Sequence, residues 1–96
     1  MTGYIDAEYI KETLPLPTLI EVNTGQRIPH NGMIRCPFHD DHNPSLMVYA
    51  VKPYKKGWYC FGCHKGGSVI DWVMEWEHLG FYDALKFIAD NYYEKD

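Results

Sequence analysis

Cys36-Pro37-Phe38-His39 and, 20 residues later, Cys60-Phe61-Gly62-Cys63 are the stretches that decide the fold of this 96-residue chain. Each leaves two residues between its two donor side chains, so one tight turn can aim both donors at one point. Together the turns supply three thiolates and one imidazole, a closed tetrahedral ligand set of the kind that holds structural zinc. All three cysteines of the chain belong to this set. The sequence therefore predicts one structural zinc ion bound by Cys36, His39, Cys60 and Cys63.

The identity of the fourth ligand and the chemistry of the cysteines leave alternatives open. His42 lies three residues after His39, and His64 directly follows Cys63, so either histidine could replace His39. Cys60 and Cys63 also have the Cys-x-x-Cys spacing of thioredoxin-like redox proteins, but that fold requires a βαβ frame where this sequence favours a hairpin. A hydrolytic metal site needs an open coordination position, which four protein ligands do not leave. We therefore expect a structural metal.

The length and composition of the chain limit its class. We expect a single domain over residues 1–96, with a core small enough to need stapling by a metal. Zinc binding on the order of 10–16 kcal/mol becomes folding free energy where the unfolded chain has no preformed site. No run of about 18 apolar residues occurs, and no basic patch precedes an apolar stretch near residue 1, so we expect neither a membrane span nor a signal peptide. An odd number of cysteines favours a metal site in the reducing cytoplasm over disulfides.

Charge is distributed unevenly along the chain. The net charge is −4, yet residues 27–65 carry six bases and two acids, whereas residues 66–96 carry two bases and seven acids. The locally basic segment contains the four predicted ligands and interleaves lysines with aromatic residues. This pattern suits the phosphates and unstacked bases of single-stranded nucleic acid. A solvated loop with ordinary lysines is the alternative interpretation.

The segment between the two ligand pairs is predicted to form a β-hairpin. Residues 46–51 alternate in the way that is typical of a strand, residues 52–57 form a polar tip, and Trp58-Tyr59 leads back as the second strand. Successive side chains of a strand point to opposite faces. One of the Trp58 and Tyr59 rings should therefore pack inward while the other is exposed.

Two helical segments are expected before the first ligand pair. Residues 4–12 favour a short helix with Ile5 and Tyr9 on one side. Residues 16–22 favour either a second short helix or an extended segment. Pro15 and Pro17 separate the two segments.

Two longer helices are expected after the second ligand pair. We predict that Gly66-Gly67 breaks the chain and that Ser68 and Asp71 form a capping-box-like pair at the start of a helix. A further helix is predicted from Phe81 to Tyr92. Its apolar residues lie on one stripe, which we assign to the core.

The order of these motifs resembles the zinc-binding domain of bacterial and phage DNA primases, the Cys-His-Cys-Cys type. The resemblance rests on five elements that follow in sequence: Arg35 to His39, Asn43-Pro44-Ser45, Tyr59 to Cys63, Gly66-Gly67 and Ile70-Asp71. It implies a zinc-ribbon-like α+β fold in which a small antiparallel sheet packs against helices. It also implies a non-catalytic module that recognises single-stranded template DNA, so that a separate polymerase domain can begin an RNA primer.

The resemblance further implies where DNA and protein partners would bind. The candidate nucleic-acid contacts are Arg35, Lys52, Tyr54, Lys55, Lys56, Trp58 and Lys65. A primase polymerase domain or a replicative helicase would be the protein partner. The alternative is a zinc-stapled module that docks on a helicase or polymerase without touching DNA, which the acidic C-terminal segment favours.

Three features depart from the primase pattern, the first being a long, lysine-rich hairpin segment from Tyr49 to Gly57. No Asp-x-Asp pair of the kind carried by primase polymerase domains occurs in the chain, so we expect either a fragment of a larger primase or a small stand-alone protein of a phage or mobile element. His64 stands where a glycine or another small residue would be ordinary.

Overall fold

The computed structural model describes residues 6–40, 42–49 and 57–93. Two short helices come first, and a four-stranded antiparallel sheet with the spatial order β1-β2-β3-β4 follows before two further helices. The elements are α1 (Ala7–Thr13), α2 (Leu16–Thr24), β1 (Met33–Ile34), β2 (Leu46–Tyr49), β3 (Gly57–Cys60), β4 (Gly66–Gly67), α3 (Val69–Glu77) and α4 (Phe81–Tyr92). The α+β fold predicted from the sequence, a small zinc-ribbon-like sheet with flanking helices, is confirmed.

The two faces of the sheet differ in burial. The inward side chains of β1, β2 and β3 are buried: Ile34, Leu46, Val48, Trp58 and Cys60. On the outer face, the strand register pairs Met47 with both Met33 and Tyr59, so these three half-buried side chains form a row across the sheet. The expectation that one of Trp58 and Tyr59 packs inward is confirmed, because Trp58 is only 2% exposed.

Gly66 and Gly67 form strand β4 instead of the break that the sequence predicted. Gly66 pairs with Tyr59, and a Cβ atom at residue 66 would lie 2.6 Å from the carbonyl oxygen of Trp58. Gly67 has φ +145°, and a Cβ atom there would overlap the carboxylate of Asp71. Only residues without side chains can approach β3 and α3 this closely, so the glycines extend the sheet.

Helix α3 lies at the centre of the core. The capping box predicted at its start is present: the Asp71 carboxylate accepts from the backbone N–H of Ser68 at 2.8 Å, and the Ser68 hydroxyl accepts from the first turn. Trp72 is fully buried, and its ring meets Trp58 edge to face with 5.2 Å between centroids. Its indole N–H donates to the side-chain oxygen of Asn23 at 2.8 Å, which ties α2 to α3.

Helix α1 packs through a different residue from the one predicted. Ile10 is fully buried, whereas Tyr9 is 52% exposed and its ring contacts Tyr93 at 5.8 Å between centroids. Ile5 lies outside the described residues. A helix of seven residues has about two turns, which is too few for the apolar pattern to distinguish a stripe through Tyr9 from one through Ile10.

Helices α2 and α4 complete the flanks. Residues 16–24 are helical, with Pro17 in the first turn and Gly25 in the left-handed conformation at the end, which settles the choice between a helix and an extended segment. In α4 the middle of the predicted stripe is buried, as expected, while Phe81 and Tyr92 at its ends remain exposed. No helix in the described ranges combines the length and the hydropathy needed to cross a membrane.

Candidate metal centre

Two turns bring the four predicted ligands together. Cys36 follows β1 and His39 lies in the next turn, while Cys60 ends β3 and Cys63 lies in the turn after it. The donor atoms of all four lie within 4.8 Å of one another. The two sulfur atoms of Cys36 and Cys63 are 3.8 Å apart, and Nε2 of His39 is 3.3 Å from Sγ of Cys60. Donors around a tetrahedral zinc ion are roughly 3.5–3.8 Å apart, so the arrangement fits one zinc.

The first turn is anchored in the aromatic core. Phe38, which lies between the ligands of that turn, contacts the rings of Trp72, Trp58 and Trp76 with centroid distances of 5.1, 5.5 and 6.5 Å. The Trp72 and Trp76 rings are themselves stacked at 5.9 Å. The ring of Phe38 therefore fixes the first pair of ligands against α3 and β3.

Backbone N–H groups of both turns point at the sulfur atoms. The N–H of Phe38 donates to Sγ of Cys36 at 3.4 Å. The N–H groups of Gly62 and Cys63 donate to Sγ of Cys60 at 3.3 and 3.4 Å. Because these donors favour negatively charged sulfur, the backbone is already arranged for thiolate ligands.

The thiols of Cys36 and Cys60 respond to the site in opposite directions. Burial raises the pKa of Cys36 to about 12, and its neighbouring thiols add to the rise. Burial also acts to raise the pKa of Cys60, but hydrogen bonds from the Ser45 hydroxyl and from the backbone of Cys63 and Gly62 outweigh it and lower this pKa to about 6. Before metal binding, Cys60 is thus the readily ionised member of the pair.

His39 reaches the cluster because residue 62 has no side chain. A Cβ atom on Gly62 would lie 2.7 Å from Nε2 of His39 and 3.1 Å from Oγ of Ser45. The Ser45 hydroxyl is 3.4 Å from both Nε2 of His39 and Sγ of Cys60, so it lies between two ligands of different turns. The sequence alone does not place Ser45 in the site, although it contains the Asn43-Pro44-Ser45 turn that positions this side chain.

The alternative histidines lie outside the cluster. His42 is strongly exposed, with Nε2 3.7 Å from the Asp40 carboxylate. Nδ1 of His64 is 3.0 Å from the hydroxyl of Tyr59 on the outer side of the sheet. Of the histidines in the described ranges, His39 is the one placed among the thiols.

Comparison with known proteins agrees with this donor set. The profile described as the CHC2 zinc finger matches residues 8–95. The chain belongs to the CHC2 zinc finger family. The resemblance to primase zinc domains is thereby confirmed, and the family together with the Cys-His-Cys-Cys cluster supports a single structural zinc ion. No solved structure gave a significant match.

Curated relatives of this CHC2 zinc finger are DNA primases. The chain is 36% identical over 93 residues to the DNA primase of Buchnera aphidicola subsp. Acyrthosiphon pisum, covering 93% of this chain and 16% of the relative. It is 33% identical over 86 residues to the DNA primase of Streptomyces coelicolor, covering 88% of this chain and 13% of the relative. A shorter match, 46% over 55 residues, links it to the DNA primase of Deinococcus radiodurans, with 57% and 9% covered. The chain therefore spans less than a fifth of the length of these relatives.

Of the predicted nucleic-acid contacts of the zinc finger, the structure describes Arg35, Trp58 and Lys65. Lys52, Tyr54, Lys55 and Lys56 lie outside the described residues. Arg35 is exposed beside the first ligand, and its backbone N–H and C=O pair with the side-chain amide of Gln26 at 3.0 and 2.8 Å. The Lys65 ammonium lies 3.2 Å from the Glu75 carboxylate. Because a half-exposed ion pair contributes only about 0–1 kcal/mol, a phosphate can compete for Lys65.

Trp58 does not fit the predicted role in DNA contact. Its ring is buried between Phe38 and Trp72, and its indole N–H donates to the backbone carbonyl of Ser68 at 3.0 Å. Near the second ligand pair the exposed ring is that of Phe61, at 56% exposure, and the neighbouring Tyr59 ring is half-buried. One signal could have found this: a ligand must face the metal, and Cys60 shares its strand face with Trp58.

Proposed function

We propose that this CHC2 zinc finger is a non-catalytic module that recognises single-stranded template DNA during primer initiation. It works in the cytoplasm as a single domain, beside a primase polymerase domain or a replicative helicase. The primase names of its relatives support this context. The four-ligand metal centre supports the non-catalytic role, because such a set leaves no coordination position for an activated water.

The observation that carries the proposal is a group of rings on the outer side of the sheet, of which Tyr59 is half-buried and Phe61 and His64 are exposed. We call Tyr59, Phe61 and His64 the aromatic patch. The rings of Tyr59 and Phe61 meet edge to face with 5.1 Å between centroids. Exposed rings of this kind provide stacking surfaces for unpaired bases, and the surrounding segment 27–65 supplies the positive charge that phosphates require.

The metal centre explains how a small chain can hold such a patch in place. Tyr59 and Phe61 flank the ligand Cys60, and His64 follows the ligand Cys63. The backbone N–H of Phe61 also donates to the carbonyl of Ser45 at 2.8 Å, which joins the patch to the segment of the first ligand pair. Zinc therefore acts structurally, by fixing the turn from which the rings project.

A second candidate function is docking on a replication protein without DNA contact. The rings of Phe81 and Tyr82 contact each other at 5.2 Å at the start of α4, and Tyr82 is 76% exposed. The surrounding segment 66–96 has an excess of five negative charges, which repels phosphate and suits a basic protein surface.

The test compares the two exposed surfaces by mutation. Fluorescence anisotropy of a short labelled single-stranded DNA is measured with the zinc-loaded chain at two salt concentrations. We expect binding that weakens with salt, that is lost in the Lys55→Glu/Lys56→Glu double variant, and that falls about tenfold in Phe61→Ala because one stacked base contributes about 1–3 kcal/mol. Tyr82→Ala is the matched control, since it removes an exposed ring from the acidic surface. Absence of binding at low salt would reject template recognition and favour the docking module.

A further inference from the structure

His64 has a backbone conformation that its residue type disfavours. Among the described residues, the non-glycine residues with positive φ are His64, at +65°, and His78, at +60°. The left-handed region costs a residue with a side chain roughly 1–2 kcal/mol relative to the right-handed one, whereas glycine adopts it freely. His78 ends helix α3, where this conformation is common. His64 lies in a turn at the metal centre, so its side chain rather than its backbone calls for an explanation.

The imidazole of His64 forms a hydrogen bond with Tyr59. Its Nδ1 lies 3.0 Å from the Tyr59 hydroxyl, with 6.3 Å between the two ring centroids. Two backbone hydrogen bonds close the turn beneath it: His64 N–H to the carbonyl of Cys60, and Cys60 N–H to the carbonyl of Lys65, both at 2.8 Å. The left-handed backbone of His64 thus belongs to a turn that places a polar ring beside Tyr59.

Gly66 lies directly against Tyr59, which is possible because Gly66 has no side chain. It is the strand partner of Tyr59, and a Cβ atom on it would lie 2.8 Å from a ring carbon of Tyr59. The Tyr59 ring therefore lies over strand β4, where the hydroxyl can meet His64. The Tyr59 ring contacts both the exposed ring of Phe61, at 5.1 Å between centroids, and the imidazole of His64, at 6.3 Å.

We propose that His64, oriented by Tyr59, reads the edge of a template base that stacks on Phe61. In the tautomer in which the Tyr59 hydroxyl donates to Nδ1, the ring N–H of His64 is on Nε2. The Nε2–H group then points away from Tyr59 and donates to an acceptor atom of the base. Stacking on Phe61 is tolerant of sequence, so the imidazole adds the base preference. This inference rests on the proposed function and identifies its specificity-determining residue.

The experiment compares histidine-to-glycine substitutions at the two positions that have the left-handed backbone conformation, His64 and His78. Zinc-loaded wild type, His64→Gly and His78→Gly are titrated into labelled oligo-dT, oligo-dC and oligo-dA of equal length. We expect wild type to prefer one oligonucleotide and His64→Gly to bind that one about three- to tenfold more weakly, with an unchanged salt slope and no remaining preference. His78→Gly, which relieves the same backbone conformation away from the patch, should keep the wild-type preference.

Tyr59→Phe provides a second variant that keeps the ring and removes the hydroxyl. We expect it to lose part of the base preference while it retains binding to all three oligonucleotides. If wild type binds single strands but His64→Gly keeps its preference, or if wild type has none, the role of His64 is overturned and template binding stands. If wild type binds no single strand, the proposed function itself fails, and the role of His64 fails with it.

Discussion

Gly62→Ala is expected to weaken zinc binding by a clash that the structure localises to one ligand. The added Cβ would lie 2.7 Å from Nε2 and 2.9 Å from Cε1 of His39, closer than real Cβ contacts permit. Restoring ordinary contact requires a shift of about 0.7 Å, whereas zinc–ligand distances vary by only about 0.2 Å. The imidazole therefore cannot keep both its place in the cluster and its distance from the new methyl group.

The expected size of the effect follows from ligands that are displaced but not deleted. Perturbing the groups that orient a metal ligand lowers metal affinity about 10- to 100-fold, which corresponds to about 1.4–2.7 kcal/mol. Affinity is measured by competition between the protein and a chromophoric chelator, with circular dichroism at saturating zinc as a check on the fold. Gly80→Ala is the control, because no atom lies within 4 Å of the Cβ position there.

A small effect of Gly62→Ala on zinc affinity would refute the clash with His39. If Gly62→Ala binds zinc within about twofold of wild type, below the tenfold effect expected of a disturbed orienting group, His39 is not confined between the metal and residue 62. An equal loss of affinity in Gly80→Ala would show that the effect is general to glycine replacement. Either result removes the steric argument for Gly62.

Two further predictions concern stability and pH. Gly67→Ala should lower the free energy of unfolding by about 2–4 kcal/mol in urea denaturation of the zinc-loaded chain, since it combines a disfavoured φ with displacement of the Asp71 cap. Gly25→Ala, at φ +75° with open space around it, should lose only about 1 kcal/mol, and equal losses would contradict the clash. Zinc affinity should fall as the pH is lowered from about 8 to 5, because Cys36, with a pKa of about 12, must release a proton on binding throughout this range. The fall should steepen below about pH 6, where Cys60 also becomes protonated. If the logarithm of zinc affinity plotted against pH keeps a constant slope, the lowered pKa of Cys60 is contradicted.

The features that the sequence predicted are those that depend on the spacing of residues close together in the chain. The positions of the four ligands follow from two tight turns, and the capping box at Ser68 and Asp71 follows from a three-residue spacing. The stripe of α4 extends over enough turns to be read from its period. In each case the deciding interaction lies within a few residues of the chain.

The features that the sequence missed depend on contacts between distant segments. Strand alternation by itself does not decide whether Trp58 or Tyr59 faces inward; the choice depends on the metal that Cys60 must face and on packing against Trp72 of a distant helix. Gly66-Gly67 has the composition of a break, and its role as a strand appears only when Trp58 and Asp71 are seen to occupy the space of its side chains. Ser45 belongs to the site because its hydroxyl contacts Cys60, a ligand 15 residues away in the chain, and this contact is likewise between distant segments.

The packing of Phe38 against all three tryptophans gives the molecule a built-in optical reporter. Indole emission depends on the polarity and rigidity around each ring, and the turn that carries Phe38 also carries two of the four ligands. Metal loss that loosens this turn therefore changes the surroundings of every indole in the chain at once. Zinc occupancy can be followed through intrinsic fluorescence, without a label on the surface where DNA would bind.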